Sequence, residues 1–162
     1  MLFGLIIIEG IVMCFLLLIT LVIGIANGPV GMAIMYEKDV QERVIEKGLT
    51  TREKMKKTFI ITLIALYLPV FVLAPSMAYF INGARGFIDI FWQSSVISLI
   101  MGVFDRFFID WYWVGKTKTW DIIGTEDLKP YIPKKTLVVK WFGTVIGLPL
   151  MCAVSSLVFM LF

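Results

Sequence analysis

The chain has 162 residues, 59% hydrophobic and 17% charged, with a net charge of +3, two cysteines and no histidine. A soluble domain averages roughly 45–50% apolar and about 25% charged residues, so this composition excludes an ordinary soluble protein. The lack of histidine removes the commonest metal ligand and the usual neutral-pH general base.

Four apolar stretches dominate, at about 3–26, 59–81, 87–109 and 141–162. Each exceeds the roughly 20 residues that a helix needs to cross a bilayer core of about 30 Å. The fold expected is an all-α integral membrane protein: one domain over 1–162, a four-transmembrane-helix bundle with short interfacial helices in its two long loops, at about 29–57 and 114–140.

The first stretch has no Lys or Arg ahead of it and is longer than the apolar core of a signal peptide, so it reads as a retained span. It carries Glu9, with Thr20, Gly24, Asn27 and Gly31 near the same face at 100° per residue. A carboxylate in hydrocarbon needs a reason. It either faces a cavity and couples to a proton or cation, or sits near the interface, hydrated or paired. Cys14 here, like Cys152 in the last stretch, reads as a small apolar residue, since two thiols alone make no recognisable metal site.

The first long loop is basic, with Lys38, Arg43, Lys47, Arg52, Lys54, Lys56 and Lys57. Met32, Tyr36, Val40 and Val44 recur every four residues and predict a helix lying on lipid headgroups or binding a partner. Gly48 suits the position just past a helix end. Thr50 and Glu53 form a capping box that opens a helix running on into the second span. Pro69 and Pro75 in that span each remove an amide and free the carbonyls of Ala65 and Phe71. Broken helices of this kind mark substrate sites in many transporters.

The third span carries Ser94, Ser98, Gly102 and Asp105 on one stripe, a pattern that lets helices approach closely. Its end reads Phe-Asp-Arg-Phe-Phe-Ile-Asp over 104–110. Arg106 and Asp110 are four apart and can pair. An ideal helix points Asp105 about 140° from Asp110 and into the bundle. These three form either a lipid-headgroup site or a charged collar that fixes the helix in the bilayer. By depth, Glu9, Ser76, Asp89 and Gln93 fall in the outer third and form a second candidate cluster, which Ser155 and Ser156 could join.

The second long loop holds Lys116, Lys118, Lys129, Lys134, Lys135 and Lys140, with Trp111, Tyr112, Trp113, Trp120, Tyr131 and Trp141 as an aromatic interface belt. Gly124 to Asp127 looks like a turn opening a short helix that Pro130 and Pro133 end. The fourth span carries Gly143-x-x-x-Gly147, a close-packing pattern for a neighbouring or partner helix.

Thirteen of the 15 basic residues lie in the two long loops. Positive loops stay cytoplasmic. The expected placement is a bacterial plasma membrane, with both long loops inside and both termini outside. No catalytic, metal or nucleotide motif is visible, and nothing calls for a cofactor. The expected partners are the lipid bilayer and a homo-oligomer or larger membrane complex, not nucleic acid. The leading expectation is a non-enzymatic accessory or assembly subunit. The alternatives are a small transporter or channel for a proton, cation or lipid-like solute, and a membrane-embedded enzyme acting on lipid headgroups.

Overall fold

The computed structural model describes residues 1–161. The end of the fourth predicted span, Phe162, lies outside them. Four helices are long and apolar enough to cross a membrane: α1 (Leu2–Ile25), α3 (Arg52–Ile81), α4 (Gly86–Val114) and α5 (Lys134–Phe159). A short helix, α2 (Lys38–Glu46), lies in the first connection. The described residues contain no strand. The molecule is a four-helix membrane bundle. Helices α3, α4 and α5 run past the predicted apolar stretches, because charged helix formers such as Lys54, Lys56, Lys57, Lys134 and Lys135 extend them beyond hydrocarbon depth.

Helix α4 is the central element, packed on α1 along one side and on α5 along another. Small residues set both contacts. A Cβ on Gly10 would meet the Ile100 side chain at 2.6 Å, and one on Gly102 would meet Thr144 at the same distance. Further along the second seam the Cys152 thiol donates to Ser98 Oγ at 3.4 Å. The predicted stripe of Ser94, Ser98 and Gly102 is therefore a helix-packing seam. Outward residues such as Phe15, Ile19, Ile60, Ile64, Val145 and Leu157 remain exposed, as lipid-facing side chains do.

The prolines widen α3 without breaking it. After Pro69, the Ala74 amide reaches the Pro69 carbonyl, and after Pro75 the Asn82 amide reaches the Met77 carbonyl at 3.0 Å. Both are i→i+5 bonds, so the segments Pro69–Leu73 and Met77–Ile81 are π-helical. Shifting the ladder by one residue keeps the chain helical where an amide is missing. Similar wide turns occupy Asp105–Val114 and Gly143–Gly147.

The two long connections fold over one end of the bundle. Past α1 the chain turns at Gly28, where φ is +95°, into a 3-10 segment, Pro29–Met35. Gly24 and Gly31 let it return against α1: a Cβ on Gly24 would meet Met32 Sδ at 2.6 Å, and one on Gly31 the Gly24 carbonyl at 2.8 Å. The small residues read beside Glu9 thus serve chain reversal. Helix α2 closes with Gly48 at φ +69°; its amide bonds the Ile45 carbonyl and the Leu49 amide bonds that of Val44. This is a Schellman closure.

Three local readings are corrected. The cap of α3 is Thr51, whose hydroxyl accepts from the Lys54 amide, and not Thr50; the helix starts at Arg52, so Glu53 is too early to complete a capping box. Met32, Tyr36, Val40 and Val44 belong to the buried core and do not lie on headgroups. The chain bends at Tyr36 between the two helical segments, so these residues do not form one continuous stripe. They pack inward beneath the second long connection. That also places Trp120 and Tyr131 in the core, in ring contact with Tyr36, instead of in an interface belt. Trp111 and Tyr112 remain exposed.

Candidate functional site

At the end covered by the connections, a cavity of about 450 Å³ lies between α1, α3, α4 and α5. It is amphipathic along its length. Leu17, Val70 and Met151 line its mid-span part, while Asp105, Arg106, Asp110 and Lys140 line the part nearest the connections.

The ionic cluster follows from the backbone of α4. Through Asp105–Val114 the helix is π-helical, with about 4.4 residues per turn. The angle between positions five apart then falls from about 140° to about 50°. Asp105 and Asp110 therefore flank Arg106 on the cavity side. The Arg106 guanidinium pairs with both carboxylates. Lys140, arriving from α5, donates to Asp110 Oδ1 at 2.6 Å. Asp110 is the more enclosed acid, its side chain 3% exposed against 25% for Asp105. This corrects the expectation that Asp105 alone points into the bundle. Lys140, absent from the candidate residues read in the sequence, joins the site because α5 starts at Lys134 and presents its first turns beside α4.

Two buried donors, each in a residue that lines this cavity but itself enclosed away from the open space, lack an acceptor among the described residues. They are Arg106 Nε and the indole Nε1 of Trp120, a residue only 3% exposed. An unsatisfied buried donor costs about 1–3 kcal/mol, so the site is short of acceptors.

The connections form a cap over the cluster. Tyr36 donates its hydroxyl to the Trp120 carbonyl at 2.6 Å, and burial pushes its phenol well above the ordinary range, so it stays neutral. Tyr131 Oη lies 3.0 Å from Thr125 Oγ1. Arg43 makes a two-pronged contact with Asp127, at 3.2 Å for each oxygen, which holds that carboxyl below its usual range. The Gly124 amide, in a turn with φ +82°, does the same for Glu126. Lys129 bonds Asp121 at 2.6 Å and is raised by that hydrogen bond. Thr136 donates to Glu37, tying the base of α5 to the first connection.

The cap leaves the cavity open sideways. Tyr67 and Val139, both lining residues, are 43% and 63% exposed on α3 and α5. These two helices pack together most strongly toward the far end, where Pro69–Leu73 and Ala74–Ser76 meet Leu148–Phe159. Gly143 and Gly147 line the gap, and a Cβ at either would meet nothing within 4 Å. The Gly-x-x-x-Gly pattern thus has no helix of this chain upon it.

The predicted outer-third cluster comes together in part. Glu9 is buried; its Oε2 accepts from Asn82 Nδ2 at 2.9 Å, a residue outside that prediction, while its Oε1 has no hydrogen-bond partner among the described residues. Gln93 is buried, Ser76 half-buried and Asp89 exposed. Ser155 and Ser156 are buried and bond the Cys152 carbonyl in their own helix. None of these residues lines the cavity. Among the described residues no group of His, Cys, Asp and Glu has a metal-site arrangement. No protein-family model, curated protein or solved structure matches the chain.

Proposed function

We propose that this protein is a non-enzymatic membrane component that holds an amphiphilic, lipid-like molecule. Its anionic head sits at Arg106, Lys140 and Trp120, and its apolar part runs along the cavity. The observation that carries this reading is the pairing, in one cavity, of acceptor-poor donors at one end with an aliphatic lining at the other. Arginine offers planar, paired hydrogen bonds to phosphate or carboxylate, and the low dielectric strengthens them. The concentration of lysine and arginine in the connections supports a cytoplasmic position for this end. A plasma-membrane location belongs to the same proposal.

Binding without turnover is favoured because the cluster offers no nucleophile beside a free base. Both carboxylates are engaged by cations. The sideways opening also supports exchange of a lipid-like solute with the bilayer, which is the transporter alternative in its lipid form.

The test is recovery of bound lipid from protein purified in mild detergent, by native mass spectrometry. Wild type is expected to retain an anionic amphiphile. Trp120→Phe and Arg106→Lys are expected to lose it by about tenfold, roughly 1.4 kcal/mol, with thermal stability kept in the tryptophan variant. Equal retention by wild type and both variants overturns the reading.

A further inference from the structure

We infer that the gap between α3 and α5 is a portal for one acyl chain, and that the molecule bound is a single-chain anionic amphiphile. This rests on the lipid-binding reading of the same cavity and adds its substrate class and route.

The argument begins with Gly143 and Gly147. In a membrane, a small-residue pair on a helix normally receives a neighbouring helix. Here no atom lies within 4 Å of where their side chains would stand, and both line the cavity. An open groove along an apolar span suits a flexible methylene chain. The groove leads to Arg106 and Trp120, whose unpaired Nε and Nε1 donors require an acceptor. Among the described residues Lys140 uses one of its three donors, on Asp110, so it too can contribute.

Size selects the number of chains. At about 450 Å³ the cavity lies in the lower half of the roughly 300–1,000 Å³ of sites that hold one drug-sized ligand, which suits a head with one chain better than a head with two. Entry is lateral, because the cap of Tyr36, Trp120 and Tyr131 closes the other end. The head is an acceptor-only anion, phosphate or carboxylate.

The experiment titrates detergent-solubilised full-length protein with three probes of equal chain length: a monoacyl glycerol phosphate, its diacyl counterpart and a fatty acid. Binding is followed by Trp120-dependent fluorescence and native mass spectrometry, in wild type, Gly143→Leu and Gly147→Leu. Both glycines face open space, so the variants are expected to fold, as their melting temperatures would record. Support is binding of the monoacyl phosphate at least about tenfold tighter than the diacyl one, about 1.4 kcal/mol, with loss of that binding in either leucine variant. A fatty acid binding as tightly, with the same loss, supports the portal with a carboxylate head. Equal binding of one- and two-chain probes, or unaltered binding in the leucine variants, overturns the portal while leaving the headgroup site. Failure of every probe in wild type overturns both.

Discussion

Asp110 balances two cations, Arg106 from its own helix and Lys140 from α5, while almost fully enclosed. Removing one partner of a buried pair strands the other charges and costs about 3–5 kcal/mol. Asp110→Ala is therefore expected to lower stability by about that amount, with Asp105→Ala below half of it, measured by denaturation in detergent. An Asp105 variant as damaging as the Asp110 one would contradict this ranking. Arg106, Asp110 and their spacing of four were legible in the sequence; their relative burial was not. The 100° rule fails over Asp105–Val114 because the turn widens there, and no residue type in that stretch announces the change. Lys140 was read as one more loop cation for a related reason: its role depends on where α5 begins.

At the scale of elements, two small-residue patterns of similar appearance have opposite roles. Gly102, on the stripe with Ser94 and Ser98, is pressed against Thr144 and Leu148, so Gly102→Val is expected to cost about 1–3 kcal/mol by overpacking. Gly147→Ala meets nothing and is expected to be neutral or slightly stabilising, since alanine is the better helix former by about 1 kcal/mol. Parallel melts of the two variants check the contrast. Periodicity finds such glycines but cannot say whether a neighbour arrives, which depends on how α3 and α5 splay. The same limit explains Met32, Tyr36, Val40 and Val44. Their spacing was visible, but a sequence pattern does not distinguish a face covered by lipid from one covered by a distant connection. The Tyr36–Trp120 bond joins residues 84 apart, and only the folded chain brings them together. For the caps, Gly48 was placed correctly by its conformational need, while adjacent threonines at 50 and 51 left the α3 start ambiguous by one residue.

For the whole molecule, the four spans were readable because each apolar run matches bilayer thickness, and the bundle confirms them. The charge bias predicts that cysteines introduced beside Lys47 and Lys129 are shielded from an impermeant reagent in intact cells and react after permeabilisation. Labelling of either site in intact cells would reverse the topology. The cap also carries a pH signature. Asp127 and Glu126 are both depressed in the fold. Their contribution is present above the unfolded carboxylate values of about 4 and is lost as pH falls through the folded ones. Hydrogen exchange in 120–131 is therefore expected to speed up as pH is lowered below about 4, after correction for the intrinsic rate. Unchanged protection down to pH 3 would count against it.

The placement of the ion pairs at two depths makes ionic strength a selective tool. Arg43–Asp127 and Lys129–Asp121 lie at the wetted rim, where the screening length shrinks from about 8 Å at physiological salt to about 3 Å at 1 M. Arg106 and Asp110 lie beneath the aromatic cap and are almost fully enclosed, so salt screens their pairing much less. Concentrated salt should therefore loosen the rim and leave the inner charges joined. An amphiphile held at the inner charges would then stay bound while the roof loosens, since its route in and out is the lateral gap.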